Sequence, residues 1–207
     1  MRPFEMEPDG LLTGTGVAPG RAERMIRAAS GGRVLLTGLL LAVGAWLLFT
    51  VGPWARLKET VGDVPFPEEG ISSAPVLQSF LTALGTSGRD LYLQVQLFDL
   101  IIPMLIGLFG LTLVAWMLRL ATASPARAWG LLVPLIAPVA DVVEDGVIVG
   151  AILSFPAPGR ASSALPVVTT LKFAGLGLTL FFAMALVAPA LLRRRRGHRG
   201  RRSAPPE

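Results

Sequence analysis

Apolar residues gather along this chain in four long stretches, at 34–51, about 94–118, 129–155 and about 167–192. Each approaches or exceeds the roughly 20 residues a helix needs to cross the hydrocarbon of a bilayer. The pattern predicts an all-α integral membrane protein, a bundle of four transmembrane helices occupying 34–192. The stretch 1–33 is rich in Gly, Pro and Arg and precedes any apolar run, so it reads as a disordered cytoplasmic segment; 193–207 reads as a basic cytoplasmic tail. The connection at 52–93 is long enough to hold structure. Within it, "SSAPVLQSFLTALG" has Ser73 to cap a helix, Pro75 in the first turn, Leu77, Phe80, Leu81 and Leu84 at helical spacing, and Gly85 as a stop. This predicts a short external amphipathic helix on the outer face of the membrane, a lid packed on the bundle or a gate over a site.

The third stretch breaks its own pattern, because "PVADVVEDGVIVG" places Asp141, Glu144 and Asp145 near its middle. On an insertion scale each central acid costs about 2.5–3.5 kcal/mol, against about 0.3–0.6 gained per large aliphatic residue. Such a helix has to be received by neighbours that solvate its acids. At about 100° per residue the three acids share one sector, with Pro134 and Pro138 on the same side. Each proline frees a carbonyl four residues earlier, so that side collects acceptor oxygens. Gly146 and Gly150 point the other way and predict a second, tight helix contact.

The second stretch carries an answering stripe. Arg89, Tyr92, Gln96, Asp99 and Pro103 follow three-four spacing and lie on one side of a helix. Lys172 stands near the outer end of the fourth stretch. Arg89, Tyr92, Gln96, Asp99, Asp141, Glu144, Asp145 and Lys172 are therefore the candidate ligand or ion site. The expectation is that Arg89, Tyr92 and Asp99 face the three acids with Lys172 close by. One lysine then meets four carboxylates, and Asp141, read as the farthest from the cations, is expected to hold a proton. The plainer alternative is that these groups are interhelical glue with no ligand.

Charge and composition add orientation and exclusions. Hydrophobic residues make up 52% of the 207 and charged residues only 16%, too few charges for an ordinary soluble domain at about 25%. With no cysteine, disulfides, thiolate nucleophiles and Cys-ligated metals are excluded. The one histidine, His198, sits in the tail, which takes His chemistry and a His-based metal site out of the spans. Arginines crowd 1–33, the turn at 119–127 and the tail "RRRRGHRGRR". By the positive-inside rule both termini are cytoplasmic, while 52–93 and 156–166 are external. The tail from Arg193 to Arg202 is suited to anionic lipid head groups. Nucleic acid is not expected as a partner, since no groove-reading or aromatic motif accompanies the charge. The first span lacks a small-x-small cleavage site and reads as an uncleaved signal anchor. Heavy Ala, Gly, Arg and Pro usage suits a high-GC bacterium, and the expected location is the cell (inner) membrane.

"GTSGRDLYLQVQLFDLIIPMLIGLFG" followed by "PVADVVEDG" resembles an uncharacterised group of bacterial four-span membrane proteins. In that group G-x-x-G-R-x-x-Y leads into a span with an Asp, and a later span carries D-x-x-E-N. Gly85, Gly88, Arg89, Tyr92, Asp99, Asp141 and Glu144 match these motifs, and Asp145 replaces the usual Asn. The resemblance covers roughly 80–150 and implies no activity. The layout is also similar to that of four-span sterol-isomerase-like proteins, with their long first external loop. "DVVEDG" is similar to part of the carboxylate motif of CDP-alcohol phosphotransferases, but the rest of that motif is missing.

Three functions are compatible with these residues. The chain binds or translocates a proton, a cation or a small amine-bearing molecule at its buried carboxylates; or it is a membrane enzyme acting on a lipid by carboxylate acid–base chemistry; or it is a scaffold subunit whose polar face meets a membrane partner or a second copy. The residues leave the cofactor unknown, and oxygen-only ligands favour a proton or hard cation over a soft metal.

Overall fold

The computed structural model describes residues 20–62, 66–121, 125–157 and 159–191, and these are mostly helical, without a strand among them. The elements in order are α1 (Arg21–Ala28), α2 (Gly31–Trp46) running on through a π turn at Leu47–Val51, α3 (Pro53–Val61), α4 (Ala74–Asp99), α5 (Ile101–Ala121), a 3-10 stretch at Pro125–Leu135, α6 (Ile136–Leu153) and α7 (Leu165–Ala185). Short 3-10 turns lie at Pro67–Glu69 and Arg160–Ala164.

Two apolar cores mark the ends of the bundle. One gathers Leu48, Trp54, Leu57, Phe66, Phe80, Tyr92 and Ile148 with their neighbours. The other gathers Ile26, Ala29, Val114, Leu118 and Leu131. The chain runs from the second core to the first along α2, back along α4 and α5, forward again along 125–153, and back along α7 from Leu165 to Phe182. Neighbouring traverses are thus antiparallel, as short connections favour. Three helical stretches, Gly31–Val61, Ala74–Ala121 and Arg160–Leu191, are long and apolar enough to cross a membrane. The stretch with α6 is set apart by its three acids. Outward positions stay greasy, with Leu35 77% and Phe181 66% exposed, which suits lipid as solvent.

Glycines make several of the close contacts between helices, two of them against prolines. A Cβ on Gly107 would meet Pro138 Cγ at 3.2 Å, and one on Gly110 would meet Pro134 Cβ at 2.9 Å, so α5 lies directly on the proline side of the third traverse. Gly175 brings the α7 backbone against Ala137, whose N would stand 2.7 Å from an added Cβ. The expected contact at Gly146 and Gly150 is not made. Both glycines are exposed with no atom of the described chain near them, because the tight packing is taken up by Gly107, Gly110 and Gly175.

Two connections are more ordered than their composition suggests. Residues 21–28, counted with the disordered N-terminal segment, form α1; Ile26 is fully buried against α5, and Arg119 donates to the carbonyl of Ala29. Residues 1–19 and the tail 192–207 lie outside the described residues. The predicted helix after Ser73 is the first part of α4, and Leu77, Phe80 and Leu81 are buried in the protein core rather than turned to lipid. Gly85 does not stop it. At φ +66° it kinks a helix that continues to Asp99, a conformation glycine adopts without penalty.

Candidate functional site

The α6 and α7 helices carry the charged centre. The Nζ of Lys172 bonds Glu144 Oε2 and lies 3.1 Å from Asp141 Oδ1. The other oxygen of Glu144 accepts from Thr169 Oγ1, one turn before Lys172 on α7. Glu144 and Thr169 are completely buried, and the Lys172 and Asp141 side chains are only 12% and 13% exposed. Spacing explains the arrangement: Asp141 and Glu144 are three apart on α6, Thr169 and Lys172 three apart on α7, so each pair occupies one helix face. In a low-dielectric interior a cation shared between two carboxylates is held firmly, and breaking such a set costs several kcal/mol.

Asp145 stands one residue on and is treated differently. It is 2% exposed, and both of its carboxylate oxygens are buried without a hydrogen-bond partner. Asp99, half-buried on α4, is near enough to feel the charges of Asp141 and Lys172, as Asp145 feels those of Asp99, Asp141, Glu144 and Lys172. The expectation that Asp141 is the unpaired acid is therefore reversed. Asp141 is within ion-pair distance of Lys172, because the α7 face turns toward residues 141 and 144 and leaves 145 on the α4 side.

Tyr92 and Gln96 are fully buried on α4, yet their direct partner was not among the predicted site residues. Both donate to Oε1 of Glu68, Tyr92 Oη at 2.6 Å. Glu68 comes from the 3-10 turn at Pro67–Glu69. The residue as a whole is partly exposed, but Oε2 is enclosed and has no hydrogen-bond partner among the described residues, as is true of Oε1 of Gln96. Burial pushes the Glu68 carboxyl up from 4.5 to about 7, against the lowering effect of the bonds from Tyr92 and Gln96 and with a further rise from nearby Glu144. Nothing periodic in "FPEEG" marks this residue; only an acid flanked by aromatic and proline residues hints at it.

A ladder of rings roofs this part of the molecule. Centroids are 5.5 Å apart from Phe49 to Trp54, 4.5 Å from Trp54 to Phe66, 5.5 Å from Phe66 to Phe80 and 5.2 Å from Phe80 to Tyr92. Such edge and tilted contacts suit the ring quadrupole, and they fix Tyr92 beneath the turn that bears Glu68.

Arg89 does not join the carboxylates. Its Nη1 donates to the carbonyl of Leu81 at 3.0 Å and its guanidinium lies 4.1 Å from the Phe155 ring centroid. The kink at Gly85 removes the amide that would serve the Leu81 carbonyl in an unbroken helix, and Arg89 takes its place. Among the described residues no three acids converge closely enough to hold a metal ion. The grooves between the helices, about 380 to 480 Å³, are lined almost wholly by apolar side chains such as Leu132, Ile136 and Phe98, and none by a carboxylate.

Comparison with protein families, curated proteins and solved structures finds no match to this chain. The resemblance to four-span proteins thus rests on its motifs alone, and the functional argument rests on the site.

Proposed function

We propose that this chain is a four-span membrane protein that takes up a proton, or a small cation in its place, at Asp145 in the outer half of the bundle. The four spans are α2, the α4–α5 pair, the 125–153 stretch and α7. Both termini lie in the cytoplasm, and 52–93 is external in its loop portion with the first turns of α4. The arginine distribution supports this orientation. So does the antiparallel run of the traverses.

The observation that carries the reading is the state of Asp145. Among the described residues neither of its two buried oxygens has a hydrogen-bond partner, while the cation of the centre, Lys172, is already committed to Glu144 and Asp141. An ionised carboxylate left so is costly, and a proton or a small cation removes the cost. Two apolar grooves on the faces of the 125–153 stretch, among the described residues, are not lined by the acids, which favours a proton or small cation over a larger ligand. This weighs against both an amine-bearing molecule and lipid-directed acid–base catalysis. The uncovered Gly146–Gly150 face supports a second copy or a membrane partner packing there, alongside the same chemistry.

The test is proton uptake into liposomes containing the purified protein, read by an internal pH dye after an external acid step, with sodium and potassium varied. Uptake that Asp145→Asn abolishes is the expected result. Equal uptake by wild type and Asp145→Asn overturns the proposal.

A further inference from the structure

The Pro67–Glu69 turn joins α3 to α4 outside the long apolar stretches, with glycines in open space on either side, Gly62 at φ +66° and Gly70. Phe66 and Pro67 are its buried apolar anchors, the Phe66 ring lying between Trp54 of α3 and Phe80 of α4. Glu68 supplies the polar anchor: its Oε1 accepts from Tyr92 and Gln96, both fully buried on α4. The remaining ends of this carboxyl–amide pair, Oε2 of Glu68 and Oε1 of Gln96, are enclosed and have no hydrogen-bond partner among the described residues. Two acceptors cannot satisfy one another, whereas a proton on Oε2 makes a donor of it. Facing Glu68 are Tyr92 from α4 and the charge of Glu144 from α6. The cations of the surrounding elements are committed or exposed: Arg89 is taken by the Leu81 carbonyl, Lys172 by Glu144 and Asp141, and Arg56 and Lys58 of α3 are exposed, as are the acids Glu59 and Asp90.

We infer that Glu68 is a pH-released clasp: its neutral carboxyl fastens the Pro67–Glu69 turn to α4, and its ionisation frees the turn from the bundle. The inference is independent of the reading of Asp145 and passes no proton between the two. In the closed form the Oε2 hydroxyl donates to Oε1 of Gln96, so both ends of the carboxyl–amide pair are bonded. Because Oε2 is enclosed, the proton does not leave while the turn is down. The turn lifts between Gly62 and Gly70, Oε2 meets water, and the proton passes to water. The anion then stays out, since its return would set a bare carboxylate oxygen in an enclosed place with Glu144 near and no counter-charge. The direction follows: burial raises the docked carboxyl from 4.5 to about 7, so the closed turn is favoured at acid pH and loses ground as pH climbs through 7. Release uncovers Tyr92 and Gln96, and pH thereby sets how far water reaches this end of the bundle.

The experiment uses the full chain in detergent and takes two readings. In the infrared, a protonated-carboxyl band should be present at pH 5.5, where an ordinary glutamate is mostly ionised, and should be missing in Glu68→Gln. The second reading is access to the turn. The chain has no cysteine, so Pro67→Cys places a single thiol at a buried position of the turn. Its rate of labelling by a small neutral maleimide, divided by that of a free peptide at the same pH, measures release. This ratio should rise about thirtyfold from pH 5.5 to pH 8.5, the change that a carboxyl held at about 7 when docked and 4.5 when free gives over that interval. Adding Glu68→Gln, whose amide donates to Gln96 at any pH, should keep the ratio low and flat; adding Glu68→Ala should make it high and flat. Absence of a Glu68 band at pH 5.5 overturns the inference. So does a ratio that is flat in the Pro67→Cys chain, that rises equally with Glu68→Gln, or that stays low with Glu68→Ala.

Discussion

Arg89 donates to the carbonyl of Leu81 at 3.0 Å, reaching back eight residues across the kink at Gly85. A helix broken near a membrane leaves backbone groups that need partners, and here a guanidinium stacked on Phe155 supplies one. Arg89→Ala should lower stability by about 1–3 kcal/mol, the range for a charge-assisted bond to a group otherwise left unserved. Arg89→Lys should recover little, because an ammonium cannot both stack flat and hold the carbonyl. Thermal unfolding in detergent checks both, and neither variant should disturb the Lys172 centre.

Lys172 is the cation of the α6–α7 centre. Lys172→Met should cost about 3–5 kcal/mol, since it leaves Glu144 and Asp141 buried without a counter-charge. Adding Glu144→Gln to Lys172→Met should return part of that loss, a coupling that a double-mutant cycle measures directly.

Asp141 and Asp145, four residues apart, should respond oppositely to amide substitution. Asp141→Asn weakens an ion pair with Lys172 and should destabilise the fold at neutral pH. Asp145→Asn places an amide where a carboxylate has no donor, and should be neutral or stabilising. Unfolding temperatures for the two variants at pH 7 decide it; a larger loss for Asp145→Asn would show that this acid has a partner after all.

Glu68 should make stability depend on pH in one direction. Its folded value of about 7 lies above the ordinary 4.5, so between those values the folded chain binds more proton than the unfolded one. Stability contributed by the neutral acid is whole below pH 4.5 and is lost as pH rises toward and through 7. Glu68→Gln removes the ionisation, and its unfolding temperature should fall less than that of wild type between pH 5 and pH 8.

The all-helical, membrane-like character of the molecule is carried by local features and is legible in the sequence. Apolar length gives the traverses, and the three-residue spacing of Asp141 and Glu144 puts them on one face whatever lies opposite. What lies opposite is a different kind of information. Arg89 shares the stripe of Tyr92, Gln96 and Asp99, but a stripe on a helix assumes that the helix is unbroken, and φ +66° at Gly85 creates a local acceptor that captures the guanidinium. The G-x-x-x-G pair at Gly146 and Gly150 looked the better packing site, yet Gly107 and Gly110 are filled by Pro138 and Pro134; which small residue is used depends on the partner's shape. Glu68 is the plainest case. It belongs to a turn without periodicity, and only the folding of that turn onto α4 brings it to Tyr92 and Gln96.

Of the ladder of rings, Trp54 is the member that emits light well, and it is 8% exposed, whereas Trp46 and Trp129 are 59% and 75% exposed. It touches Phe66, two places before Glu68, and through Phe66 and Phe80 it connects to the phenol that holds the Glu68 carboxyl. A change of charge on that carboxyl shifts the field at the indole, so the protein carries its own optical gauge of Glu68. With the three other tryptophans replaced by phenylalanine, the colour of the remaining emission would follow the titration without any added dye.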